Sequence, residues 1–222
     1  NFNNKGKPMK KLLLAISALL FSATTAYAGA KIGISVTGFE FDSAKGTEEH
    51  KGVVSTRTED LAIAYGSIFI EASVLDMFSL GIDYVPYDIE GETVSNTRRQ
   101  HPNVNSPLMH TETFNVDIEE HTTVYALVPL GDEGVYVKAG ASMATVSIGG
   151  SRNSGSKYPD EELVGGHISL GYERDVAALF VRGEFGYSEY ATVEANSDQG
   201  KTRFKAALED GIHARISVGK SF

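Results

Sequence analysis

Residues 167–188 read HISLGYERDVAALFVRGEFGYS, two alternating runs joined by a tight connection. In a strand, successive side chains point to opposite faces. Before the connection, Ile168, Leu170 and Tyr172 share one face, and His167, Ser169, Gly171 and Glu173 the other. After it, Leu179, Val181, Phe185 and Tyr187 face one way, and Arg182, Glu184, Gly186 and Ser188 the other. The polar face is the informative one. A sheet facing water favours long, solvated Lys and Glu, whereas glycine and serine interleaved with charges of both signs fit a narrow interior. The apolar face then looks outward, the sign expected of a sheet surrounded by lipid.

Working outward, the same period-two pattern yields eight strand candidates: 30–42, 61–74, 78–90, 113–128, 135–148, 163–174, 179–193 and 204–222. Each is long enough for a tilted strand to cross a bilayer, which takes about 9–11 residues. The connections alternate in length. SAKGTEEHKGVVSTRTED, TVSNTRRQHPNVNSPLMH, SRNSGSKYPDEE and NSDQGK are long or polar, and LDM, PLGDEG and DVAA between them are short. That alternation is the mark of an up-and-down membrane barrel with loops at one end and turns at the other. The fold expected is all-β, an eight-stranded antiparallel up-and-down transmembrane β-barrel. Phase changes near Gly38, Gly66 and Thr145 predict bulges.

The start of the chain points to export. Residues 9–30, MKKLLLAISALLFSATTAYAGA, carry a basic pair, an apolar stretch and small residues closing on Ala26-Tyr27-Ala28. They read as a secretory signal peptide (9–28) cut between Ala28 and Gly29, with 1–8 an upstream extension and 29–222 one barrel domain. The removed part holds Lys5, Lys7, Lys10 and Lys11 and no acid, so the remainder is more acidic than the formal net charge of −9 of the whole chain. An acidic exported chain without a basic tract argues against nucleic acid as a partner. The absence of cysteine excludes disulfides, cysteine-ligated metal and a thiol nucleophile.

The inward phase gathers Lys31, Lys138, Arg182 and Arg215 with Glu71, Asp83, Glu173 and Glu184, four charges of each sign. Unpaired buried charge is costly, so the balance predicts an interior ion-pair network. Arg182 and Arg215 are expected to pair with Glu184, Glu173 or another interior acid. A catalytic set drawn from His167, Ser169 and Glu173 or Glu184 is disfavoured, because the phase buries His167 and Ser169 inside. The loop histidines His50, His101 and His110 are too scattered for a metal site. Neither metal nor cofactor is expected.

The architecture resembles the small eight-stranded bacterial outer-membrane β-barrels: the OmpA transmembrane domain, OmpX and the opacity-type proteins. The resemblance rests on the Ala26-Tyr27-Ala28 site, eight alternating strands, alternating connections and the terminal Phe222. It implies that Phe222 acts as an assembly signal read by the barrel-assembly machinery. Lys220 departs from the pattern, since the position two before the end is usually apolar. The resemblance also implies a Gram-negative outer-membrane location with both termini periplasmic, lipid as the surroundings, and a monomer. The expected function is a structural or surface-interaction role carried by long extracellular loops that bind an outside ligand, not an enzymatic one. The alternatives are a narrow small-solute channel gated by the interior network and, last, a lipid-modifying enzyme. A closed barrel of this kind is expected to be heat-modifiable, running differently on gels before and after boiling in detergent. Equal migration with a helical circular-dichroism spectrum would refute the barrel.

Overall fold

The computed structural model describes residues 29–50, 53–74, 77–91, 93–99, 109–150, 157–198 and 202–222. The expected upstream extension and signal segment, with Ala28 of the expected cleavage site, lie outside them. Every regular element among the described residues is a strand: β1 (Ala30–His50), β2 (Val53–Val74), β3 (Phe78–Tyr84), β4 (Val94–Arg99), β5 (Met109–Pro129), β6 (Val135–Gly149), β7 (Glu161–Val176), β8 (Leu179–Tyr190), β9 (Val193–Asn196) and β10 (Thr202–Ser221). Eight of them form an antiparallel ring in the order β1-β2-β3-β5-β6-β7-β8-β10, closed by β10 pairing with β1. β4 extends the β3 side by pairing with β5, and β9 continues β8 along β10. The seam is completed at the turn end, where Gly29 N donates to Phe222 O (3.0 Å) and Phe222 N to Ala30 O (2.8 Å). A ring of this kind leaves no sheet edge within the hydrocarbon, the condition for a sheet to lie in lipid.

The faces sort as the alternation predicts. Ile34 (64 % exposed), Leu170 (57 %), Phe185 (62 %) and Ile216 (66 %) point outward, and Glu71 (0 %), Asp83 (1 %), Phe180 (0 %) and Arg182 (2 %) inward. Tyr172, Tyr187 and Phe222 are exposed near the two ends of the apolar belt, joined by Tyr84 and Tyr87 at the hairpin end. Phe114 turns inward and packs on Phe204, ring centroids 5.3 Å apart.

Two long connections are largely strand. β1 and β2 pair as far as His50↔Val53, and β4 pairs with β5 from Val94↔Phe114 to Arg99↔Met109. A ladder with water on both sides needs no apolar face, so alternation of hydrophobicity does not reveal it. The third strand is shorter than expected, stopping at Tyr84 just before Pro86, which has no N–H to give a ladder. The expected phase changes at Gly38, Gly66 and Thr145 do not occur: odd residues stay inward from Ser35 to Phe41 and from Tyr65 to Glu71, and even residues from Tyr136 to Ile148. What changes there is the interior, from polar to apolar, so the hydrophobic residues swap faces while the backbone keeps its phase. The irregularities lie elsewhere, between Phe41 and Ala44 on β1 and between Glu119 and Thr122 on β5, where Glu120 has a φ of 54°.

Interior glycines have a packing cause. Gly33 lies opposite Phe69, Gly81 opposite Tyr125, Gly171 opposite Tyr136 and Gly219 opposite Phe180. A Cβ on any of the four would collide with the facing ring. Each ring therefore lies along the barrel wall over the neighbouring strand. In a refolding titration into lipid vesicles, Leu170→Arg is expected to cost about 2–4 kcal/mol if it lies near the midplane. Gly171→Val is expected to cost about 1–3 kcal/mol by displacing Tyr136. Equal tolerance of arginine at Leu170 and Ser169 would mean the faces are inverted.

Candidate functional site

The barrel interior is stratified along its axis. Nearest the short turns, Arg182 on β8 is the hub. Its NH1 and NH2 donate to the two oxygens of Glu71 (2.5 and 2.6 Å), and its Nε to Glu173 Oε2 (2.5 Å). Lys31 Nζ donates to Glu173 Oε1 (2.5 Å), and the Tyr125 hydroxyl to Glu71 Oε1 (2.8 Å). The guanidinium also lies over Phe180, 4.7 Å from the ring centroid. A forked donor bound bidentate to one carboxylate and by a third nitrogen to another is the arrangement in which a buried arginine recovers most of its lost hydration.

One layer further in, Lys138 Nζ donates to Glu184 Oε2 (2.9 Å) and the Tyr136 hydroxyl to Glu184 Oε1 (2.8 Å). Arg215 faces Glu184 in strand register but binds Asp83 across the lumen. Glu184 already has both oxygens engaged. Ser35 and Ser67 complete the Asp83 cluster: their hydroxyls are 2.8 Å apart, Ser67 Oγ donates to Asp83 Oδ2 (3.0 Å), and Arg215 contacts both. All eight ionic residues singled out in the sequence thus lie in the lumen and pair with one another. The phenols of Tyr125 and Tyr136 and the hydroxyls of Ser35 and Ser67 were not singled out. The inward phase contains them, but only the register brings them to the carboxylates.

Above the ions, polarity fades. Ser188 Oγ and His213 Nδ1 are 3.0 Å apart, and the rings of His167 and His213 6.2 Å apart. Ser169 Oγ has no hydrogen-bond partner, so it makes no Ser–His pair with His167, and both His121 nitrogens are likewise unpartnered among the described residues. Beyond this layer lies an apolar plug. Phe39, Phe41, Tyr65 and Val85 form one cluster, and Ala144, Val146, Ile148, Tyr158, Leu163, Val193, Ala195 and Phe204 another. Two cavities flank the histidine layer, each of about 20 Å³ and lined by Phe39, Tyr65 and Tyr190 among others. Each has room for about one water. At the turn end a vestibule of about 250 Å³ reaches Lys31, Tyr136 and Glu173.

The fold superposes on that of a solved structure, the outer membrane protein OprG from Pseudomonas aeruginosa. The TM-score is 0.53 at 10 % identity, over 88 % of this chain and 96 % of that one. The fold is that of the small outer-membrane β-barrels. Lower-scoring matches include the outer membrane protease OmpT from Escherichia coli (TM-score 0.46, 9 % identity, 87 % and 97 % of the two chains). Ail, the attachment invasion locus protein of Yersinia pestis, matches with a TM-score of 0.42 at 9 % identity, over 88 % and 100 %. No protein-family model and no curated protein matches the chain.

Within this outer-membrane barrel fold, Gly29 and Phe222 meet at the seam. Phe222 is exposed on the turn-end rim with Lys220 Nζ 5.0 Å from its ring centroid, so Lys220 has a partner on the lipid face. Removing one member of a buried ion pair leaves the other uncompensated, at about 3–5 kcal/mol. Arg182→Ala is therefore expected to destabilise the barrel by about that much, and Arg215→Ala similarly, with Asp83→Asn restoring part of the Arg215→Ala loss. Losses under about 1 kcal/mol in urea unfolding from vesicles would show a water-filled lumen instead.

Proposed function

We propose that the chain is an integral outer-membrane protein, with both termini on the periplasmic side, that works as a filled anchor for a surface-interaction apparatus at its hairpin end. The observation that carries this reading is the double closure of the lumen. Four cations and four carboxylates are paired across its lower half, and an apolar plug fills its upper half. A ring of eight strands is only wide enough for its own side chains. What stands free for contact is the β1–β2 hairpin, paired up to His50↔Val53, and the β4–β5 extension. Elements that reach past a rigid scaffold are where binding is commonly placed. The exposed Phe222, held beside β1 by backbone bonds, supports its use as the handle grasped by the assembly machinery.

Purified protein in planar bilayers is expected to show no conductance steps. Shortening the β1–β2 hairpin above Phe41 and Leu61 is expected to leave heat-modifiability intact while abolishing attachment to its surface partner. A stable unitary conductance would replace the anchor with a narrow channel gated by the interior network.

A further inference from the structure

Among the described residues, the upper half of β2 is paired on one side only. Its ladder with β3 runs from Val74↔Phe78 to Ile68↔Tyr84, whereas its ladder with β1 continues to His50↔Val53. Beyond Tyr84 the chain turns away from β2 towards β5. Val85 N donates to His121 O (3.0 Å), and Ile89 and Ile118 exchange two backbone bonds (2.8 and 3.0 Å). Among the described residues, β4 pairs with β5 alone. Among the described residues, one bond reaches β2 from this side above Ile68, from Gly66 N to the Tyr87 hydroxyl.

That bond fixes which backbone groups the open side presents. In an antiparallel strand, the N–H and C=O of one residue point to the same side, and the sides alternate. The register shift in the β1–β2 ladder puts its extra residue on β1, so the phase of β2 is unbroken. Ala64, Ala62, Asp60, Thr58, Thr56 and Val54 therefore turn their backbone donors and acceptors to the open side, and all six have exposed side chains. Ala62 pairs with the exposed Glu40, so the edge begins where the apolar belt ends, outside the hydrocarbon, where an unpaired backbone is tolerable. Edges are commonly blunted by proline or by being short; this one is long, and residues 53–66 contain no proline.

At the lower end of this opening both banks are acidic, with the exposed Lys45 further up on β1 opposite Thr58. Glu40 and Asp42 on β1 and Asp60 on β2 are exposed on one bank, and Asp88 and Glu90 on the other. Behind the second bank, the Glu119 carboxyl is pushed up from its ordinary range, first by partial burial and then by the charges of Asp88, Asp160, Asp117 and Glu120. A row of free backbone groups flanked by negative charge matches an extended chain carrying positive charge. We propose that the free edge of β2 is a docking edge for a cationic extended peptide segment, which joins the sheet as an added strand. Backbone bonds supply the affinity and lysine or arginine side chains face the acidic banks. This assignment rests on the surface-interaction reading and names its partner class.

The test uses the whole protein in phospholipid nanodiscs, with amide exchange read by nuclear magnetic resonance and a short peptide of alternating lysine and threonine as the probe. Exchange at Thr56, Thr58 and Asp60 is expected to slow by about tenfold or more on peptide addition. The same peptide N-methylated at alternate residues keeps its charge and is expected to protect nothing. Thr58→Pro removes an edge N–H that β1 does not use, and is expected to weaken binding by about tenfold, near 1.4 kcal/mol. Equal protection by the N-methylated peptide, or by a glutamate–threonine peptide, overturns the proposal. So does protection without peptide that grows with protein concentration, which would assign the edge to a second copy of the chain. Silence in planar bilayers is independent of all these outcomes, so failure at the edge leaves the closed anchor standing, and a conducting barrel would sink the anchor without touching the edge.

Discussion

The width of an eight-stranded ring governs everything inside it. The lumen is too narrow for bulk water and too wide to be left empty, so inward side chains must fill it with mutually satisfied groups. Along one half of the axis the solution is charge. Arg182 engages two carboxylates, each of which accepts from a further donor, Lys31 on Glu173 and Tyr125 on Glu71. Along the other half it is hydrocarbon, with Phe41, Phe204 and their neighbours. The histidine layer sits at the junction, and it is there that the unpartnered polar atoms of His121 and Ser169 occur.

A buried network of this sort is weak evidence for stability in itself, since apolar residues of similar volume often do as well. Its contribution is better seen as register. Arg182 reaches Glu71 and Arg215 reaches Asp83, contacts that join strands far apart in the ring. A slip of one residue in any strand that carries one of these charges would turn it towards lipid. The wrong barrel is thereby penalised more than the right one is rewarded.

Fold class, the ring of eight strands, the two faces along the membrane belt and the eight ionic residues are legible in the sequence, because each depends on period-two alternation alone. Pairing was not legible. Arg215 stands beside Glu184 in register yet binds Asp83, a choice made by Lys138 and Tyr136 occupying Glu184. The water-exposed ladders of β1–β2 and β4–β5 look like loops in the sequence, since polar alternation on both faces carries no hydrophobic signal. The apparent phase changes misled for a related reason. Phe39, Phe41 and Tyr65 face inward where the interior itself becomes apolar, so hydrophobicity swaps faces while the backbone keeps its phase.

The rings laid over glycines carry a consequence for how such a barrel drifts over generations. Phe69 over Gly33, Tyr125 over Gly81, Tyr136 over Gly171 and Phe180 over Gly219 are four two-residue units, each spanning neighbouring strands. Shrinking the ring alone opens a hole in the wall's lining, and enlarging the glycine alone forces a clash. Neither step is neutral, while the exchange of both partners nearly is. Among descendants of this chain these positions should therefore change in couples, and correlated substitution, more than invariance at either site, would be the signature that the packing leaves in the sequences.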